Sequence, residues 1–487
     1  MRGRPVRGRW LSWSVGILSP STISAALFFI VGLIVATAAL ARRRSILENA
    51  FYLTFFSYIF LIGIGPLFTE QMDPLAPVMR GSFEPDTWTL FMSWSGLAAL
   101  LWGYRSRQRE ASRTESARVS RSIGSCGRND PNPLLIGGIV WTVIATIGTA
   151  AYLSKVGGLS YFFETAYGTR DDPSVYAGFY NLFRPGLFLV IAWALAAKVR
   201  AGLVWAGLLA YICFDLLWFV PIRGGRNETI TLVLTLMYIA KHFADPKKVS
   251  HVGPLRRGWL LCAGVAIVLI WGGIRNYSIE DIVSGSSDQP SLLISTEAMV
   301  VKSVYETFQS FAGVVSSVPT QVPYQRGQTL FDSFTLIIPR AIWPSKPTPA
   351  NSWLAQTFYG PEITASISTT WPGELYLNFG WLGLMLGMYW MGVACAKVNG
   401  LDPPKLDGKP AVWQGLKAAV WLPLPFVWIW GGSSFAVWHV LFNVVPIWIV
   451  FKLAKVPATG AASGYRREAA PVNQDTKSSR QLRAPNV

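Results

Sequence analysis

Apolar blocks of membrane-spanning length recur along this whole chain, and that recurrence decides its fold class. Ser21–Leu40 is the first, 20 residues without a charge. At about 1.5 Å per residue, some ~20 helical residues cross a hydrocarbon core of roughly 30 Å. Comparable blocks occupy 50–69, 87–104, 134–154, 179–197, 201–220, 229–243, 259–274, 375–396, 412–430 and 434–451. One secretory leader cannot explain a pattern that reaches the last quarter of the chain. The expected fold is all-α, a polytopic transmembrane helical bundle of about eleven spans within residues 1–455. Composition agrees, because 14% of the 487 residues are charged, against about 25% in soluble domains. The 22 tryptophans suit a chain that meets two bilayer interfaces.

The net charge of +17 would suit a nucleic-acid partner if it lay on one surface. It alternates between loops instead. With the N-terminus outside, the inside segments carry 27 Lys/Arg and the longer outside segments 15. That is the positive-inside pattern, so no nucleic-acid partner is expected. Arg2, Arg4, Arg7 and Arg9 go against it, and five loops and the C-terminal tail outweigh them. Four scattered cysteines and three scattered histidines imply neither a disulfide framework nor a metal site.

Residues 105–132 are expected to form a basic inside loop, and 456–487 read as a disordered cytoplasmic tail. The long outside segment 275–373 is expected to be partly helical. Ser291–Val318 has helical apolar spacing, and Phe331–Ile342 reads as a second short helix interrupted by Pro339.

Three constellations could carry chemistry. In Pro221-Ile-Arg223-Gly-Gly-Arg226, Pro221 is expected to end one helix, with the next opening near Arg226. Two arginines at a helix N-terminus suit a phosphate or diphosphate; the plainer reading makes them headgroup anchors. In Pro339-Arg340-Ala-Ile-Trp343-Pro344-Ser-Lys346-Pro347, the prolines fix the backbone, Arg340 and Lys346 supply cations, and Trp343 could stack on a sugar or pack the loop. In Thr370-Trp-Pro-Gly-Glu374, a carboxylate stands at the outer edge of an apolar span. There it needs either a partner or a role such as accepting a hydroxyl proton. Arg170 and Arg184 are further outside cations, and His439 reads most simply as a packed, hydrogen-bonded side chain. No nucleotide-binding or hydrolase motif occurs.

Pro339-Arg340-x-x-Trp343-Pro344-x-Lys346-Pro347, then Tyr376-Leu-Asn378-Phe-Gly380-Trp-Leu-Gly383, preceded by Arg223-Gly-Gly-Arg226 and Gly157-Gly158-Leu159, resemble the bacterial oligosaccharide repeat-unit polymerases. These are the Wzy-type O-antigen and capsule polymerases. The resemblance spans roughly residues 150–395. It implies a GT-C-like membrane enzyme at the outer face of the cytoplasmic membrane. Such an enzyme moves a growing glycan from undecaprenyl diphosphate onto a new lipid-linked unit, without cofactor or metal. Implied partners are the lipid-linked oligosaccharide, membrane lipids, and a chain-length regulator and flippase of the same pathway. Glu374 and Arg340 are then the expected catalytic pair. Arg223, Arg226, Lys346, Arg170, Arg184 and Trp343 are the expected diphosphate- and sugar-binding residues. Two other readings stay open. A glycosyltransferase using a lipid-monophosphate sugar would use acids of an early outside loop, where Glu70, Asp73, Glu84 and Asp86 lie. A glycan flippase or exporter would carry charges along its spans.

Overall fold

A computed structural model describes residues 19–41, 49–68, 86–118, 131–156, 179, 181–223, 226–243, 292–336, 338, 342–361, 367–400 and 412–453. The regular structure among them is helical, without strands. The first half comprises α1 (Pro20–Ala41), α2 (Ala50–Tyr58, continued by a π turn and a 3-10 turn to Phe68), α3 (Thr87–Arg118), α4 (Asn132–Val156), α5 (Phe183–Ala196), α6 (Gly202–Arg223) and α7 (Arg226–Phe243). The second comprises α8 (Leu292–Ser317), α9 (Gln328–Thr335), α10 (Ala350–Tyr359), α11 (Trp371–Asn399), α12 (Val412–Trp421), α13 (Leu424–His439) and, after a π turn, α14 (Val445–Leu453).

Among the described residues, five helical stretches are long and apolar enough to cross a bilayer: Pro20–Ala39, Ala50–Leu67, Asn132–Lys155, Trp371–Asn399 and Leu424–Leu453. Phe183–Ala196, Gly202–Asp215 and Ile230–Ile239 are shorter apolar helices. The outward faces are apolar as well. Leu27, Phe29 and Leu33 on α1, and Ile136, Ile139 and Ile147 on α4, are all exposed. Such helices, greasy inside and out, make a multi-pass membrane protein.

Several boundaries differ from expectation. Residues 412–430 and 434–451 do not form two spans. The chain is interrupted at Leu422–Pro423, after the short α12, and then continues as one apolar stretch from Leu424 to Leu453, broken within α13 at Gly432. Pro423 sets that start, since a proline is tolerated in the first turn and lacks the donor to continue α12. Helix α6 passes through Pro221 and stops at Arg223; a single missing donor in the last turn does not end a helix. The helix expected at Phe331–Ile342 lies at Gln328–Thr335, launched by the left-handed Gly327. A third helix, α10, follows Pro349 and buries Ala350, Leu354 and Ala355. Ser291–Val318 is helical over Leu292–Ser317. The expected span 259–274, the tail 456–487 and the N-terminal arginines lie outside the described residues.

The most extensive helix pairing joins α3 to α11. They run parallel: Trp88 Nε1 donates to the Tyr376 hydroxyl at 3.0 Å near one end, and Tyr104 meets Asn399 near the other. Glycines permit the approach. A Cβ on Gly103 would lie 1.9 Å from the Tyr389 carbonyl oxygen, and one on Gly392 2.2 Å from that of Leu100. In lipid, where burial of apolar surface drives no association between helices, such backbone contact supplies much of the attraction. Gly103→Ala is therefore expected to lower stability by about 1–3 kcal/mol, read as a lower unfolding midpoint in detergent. Helix α8 enters the same group, with Phe308 occupying the space that a side chain on Gly65 would fill. A second group comprises α4, α5, α6, α7, α12 and α14, and α4 and α5 cross at Gly138 and Gly186.

Candidate functional site

Glu374 opens α11. Thr370 caps that helix, its Oγ1 accepting from the Gly373 N–H at 3.1 Å, and Pro372 lies in the first turn. Thr370 holds φ +46, a strained value for a β-branched residue. Glu374 thus projects from a rigid start, and its side chain is fully buried.

Two broken helices surround it. In α13, Gly432 has φ +69 and ψ −162, a region open essentially to glycine alone. The break frees backbone groups on both sides, and three of them meet partners from neighbouring segments. The Ser433 N–H donates to Glu374 Oε2 at 2.6 Å. Ser368 Oγ donates to the Trp430 carbonyl and Thr369 Oγ1 to that of Gly431. The carboxylate therefore caps the N-terminus of the second half of α13, where the helix dipole favours a negative charge. Ser433 Oγ also donates to Glu374 Oε1, and Thr329 Oγ1 donates to the same oxygen at 3.1 Å.

In α11 the break is at Gly380, with φ +64 and ψ −155. Here the segment before α9 closes the gap. Gln325 N–H donates to the Leu377 carbonyl at 3.0 Å, Arg326 N–H to that of Asn378 at 3.1 Å, and Gly327 N–H to Asn378 Oδ1 at 2.8 Å. Asn378 Nδ2 donates on to Thr329 Oγ1 at 2.6 Å and to the Glu374 carbonyl at 2.8 Å. Non-helical backbone of this kind survives at membrane depth because protein groups satisfy it.

Helix α9 covers the cluster, and its polarity is inverted. Thr329, Asp332, Ser333 and Thr335 are buried, whereas Phe331 and Phe334 are 63% and 61% exposed. Ser333 Oγ lies within hydrogen-bond reach of Ser433 Oγ and Ser434 Oγ. Burial pushes the Asp332 carboxyl above the usual carboxylate range, and the Gln328 amide hydrogen bond partly offsets this.

The other expected site residues fall elsewhere. Arg184 is buried on α5 and pairs with Asp215 of α6, Nε to Oδ2 at 3.3 Å. It lines a cavity of about 30 Å³ with Asn181, Thr231, His439 and Asn443. His439 is buried there, its Nε2 2.9 Å from the Val420 carbonyl, which can only accept. Trp343 Nε1 donates to Ser345 Oγ at 3.2 Å, and Lys346 Nζ to the Ile338 carbonyl at 2.8 Å, so both hold their own loop. Arg223 ends α6 and Arg226 starts α7; Arg170 and Arg340 lie outside the described residues. Of the early-loop acids, Asp86 caps α3 through the Thr89 N–H at 2.7 Å.

Thr329, Ser333, Ser433 and Ser434 were missed by sequence reasoning. The one local signal was Gly431-Gly432-Ser433-Ser434 within an apolar run, a motif that marks a helix break as well as it marks a loop between spans.

No curated protein and no solved structure matches the chain. Residues 296–458 match the model of a family described as a domain of unknown function (DUF8712). That stretch, about a third of the chain, contains every residue of the Glu374 cluster and neither member of the Arg184–Asp215 pair.

Proposed function

We propose that this chain is a multi-pass membrane glycosyltransferase that polymerises undecaprenyl-diphosphate-linked oligosaccharide units at the outer face of the bacterial cytoplasmic membrane. The observation that carries the reading is a buried carboxylate, Glu374, under a short helix that is polar toward it and apolar outward. A lipid-linked substrate arrives from the bilayer. Phe331 and Phe334 offer its polyprenyl chain an apolar surface, and the hydroxyls behind them suit a sugar.

In the proposed reaction an acceptor hydroxyl attacks the anomeric carbon of the donor glycan. The new glycosidic C–O bond forms as the C–O bond to the diphosphate breaks, and undecaprenyl diphosphate leaves with the bonding electrons. Glu374 takes the hydroxyl proton. Arg340, with Arg223 and Arg226, is assigned the negative charge that develops on the leaving diphosphate. Glu374 is enclosed in this structure, so α9 has to lift for the acceptor to reach it.

A second reading, a glycan flippase or exporter, draws on the two broken helices, a feature of many transporters. One experiment separates them. Purified protein in liposomes, given lipid-diphosphate repeat units and nothing else, is expected to produce a ladder of longer glycans. Unchanged substrate that has crossed the bilayer would instead support the flippase. A ladder that requires a monophosphate-linked donor would overturn the polymerase reading.

A further inference from the structure

Helix α13 meets the second helix group at a small polar cavity, beside the buried ion pair of Arg184 and Asp215. The polar lining comes from three parts of the chain. Asn181 and Arg184 stand at the start of α5, Thr231 is on α7, and His439 and Asn443 are at the end of α13 and in the π turn after it. All five are buried. The hydrogen bonds of His439 fix the orientation of Asn443. His439 Nε2 lies 2.9 Å from the Val420 carbonyl, so this nitrogen carries the proton. In the neutral ring Nδ1 is then an acceptor, and it takes the Asn443 Nδ2 donor at 3.4 Å. That pins the amide and commits Asn443 Oδ1 to the other direction, where it is buried and meets no donor from the described residues. A buried amide oxygen without a donor is rare in native proteins, and ordered water is a usual partner where a polar space adjoins it.

The space suits that partner. Its volume is about 30 Å³, whereas a water molecule needs roughly 10–15 Å³ on the same scale. A sugar or a lipid headgroup is too large for it. Water also needs several polar neighbours, and the lining supplies them. A guanidinium carries several N–H donors, and amide and hydroxyl oxygens carry more than one lone pair. Arg184, Asn181 and Thr231 can therefore each bond a water molecule in addition to the partners they hold.

We infer that this cavity is a binding site for a water molecule that donates to Asn443 Oδ1 and hydrates the Arg184 guanidinium. Its role is solvation at membrane depth. Lipid offers a charged pair no hydrogen bonds, and an internal water molecule does. The same molecule links α5 to α13, the helix that carries Ser433, across the joint between the two helix groups. The site involves no residue of the Glu374 cluster, so the inference stands or falls independently of the proposed polymerase activity.

Hydroxyl-radical footprinting of the full chain in lipid nanodiscs tests it, with millisecond X-ray irradiation and mass spectrometry of the peptides. The radicals form from water in place, so a buried side chain is oxidised where a water molecule touches it. In wild type, His439 is expected to be oxidised despite its burial. Phe188, fully buried about one turn from Arg184 and no part of the cavity lining, is expected to stay unoxidised. Asn443→Leu removes the acceptor at nearly constant size and is expected to lose most of the His439 oxidation. Asn443→Ser keeps an oxygen there and is expected to keep that oxidation. An unoxidised His439 in folded wild type would overturn the inference, whatever the variants do. Equal oxidation of His439 and Phe188 would overturn it too, because solvent would then reach the whole interior. So would His439 oxidation that is undiminished in Asn443→Leu.

Discussion

Glu374→Gln is expected to yield a folded protein that makes no ladder. The carboxylate receives two hydroxyl donors on Oε1 and the Ser433 N–H on Oε2. Glutamine can direct its carbonyl at Ser433 N–H and its amide at the hydroxyls of Thr329 and Ser433. Those hydroxyls can turn to accept, because each is donor and acceptor at once. The loss of stability is then about 1–2 kcal/mol, the difference between a charged and a neutral capping acceptor. The loss of activity is far larger, about 10²–10⁴-fold, because an amide cannot take the acceptor proton. Ladder formation and the detergent unfolding midpoint, measured on the same preparation, separate the two effects. A folded variant with a normal ladder would remove Glu374 from the chemistry. Activity that declines only in step with the folded fraction would leave it as a structural pin.

Gly432→Ala is expected to lower stability by about 3 kcal/mol or more. Two costs add at this position. The backbone conformation is one that side chains other than glycine's adopt only under strain, at about 1–3 kcal/mol. A Cβ there would also lie 2.5 Å from both Glu374 Oε2 and Thr369 Oγ1, an overpacking worth a further ~1–3 kcal/mol. Gly207→Ala on α6 is the control, because a Cβ there meets nothing within 4 Å and alanine is the better helix former by about 1 kcal/mol. The comparison is read from unfolding midpoints of the two variants. A Gly432→Ala protein as stable as wild type would mean that the break in α13 is not fixed by this glycine.

The sequence displayed the parts of this protein that depend on local composition. A 20-residue apolar run such as Ser21–Leu40 is its own evidence for a span, and α1 lies where the run does. Glu374 stood out because a carboxylate beside an apolar helix is costly to leave alone. Its partners did not. Thr329 is 45 residues before it and Ser433 59 residues after it, and neither differs in type from the many other hydroxyl residues of the chain. Arg184 was read as an outside cation because its partner, Asp215, is on the next helix, 31 residues on. The misplaced boundary between 430 and 434 has a specific cause. Small polar residues in an apolar run look alike in sequence whether they join two helices or break one. Telling the cases apart needs the partners that satisfy the freed backbone, here Glu374, Ser368 and Thr369.

The backbone bonds from Gln325, Arg326 and Gly327 to the interrupted turn of α11 have a mechanical consequence. They fasten α9 at its amino-terminal end to the helix that carries Glu374. Farther along, Ser333 is held to α13 by hydroxyl contacts with Ser433 and Ser434. A cover anchored in this way pivots rather than detaches. If α9 opens as the proposed reaction requires, its carboxy-terminal end is expected to swing out about Gly327, with the gap opening first beside Ser433 and the amino-terminal end still fastened to α11.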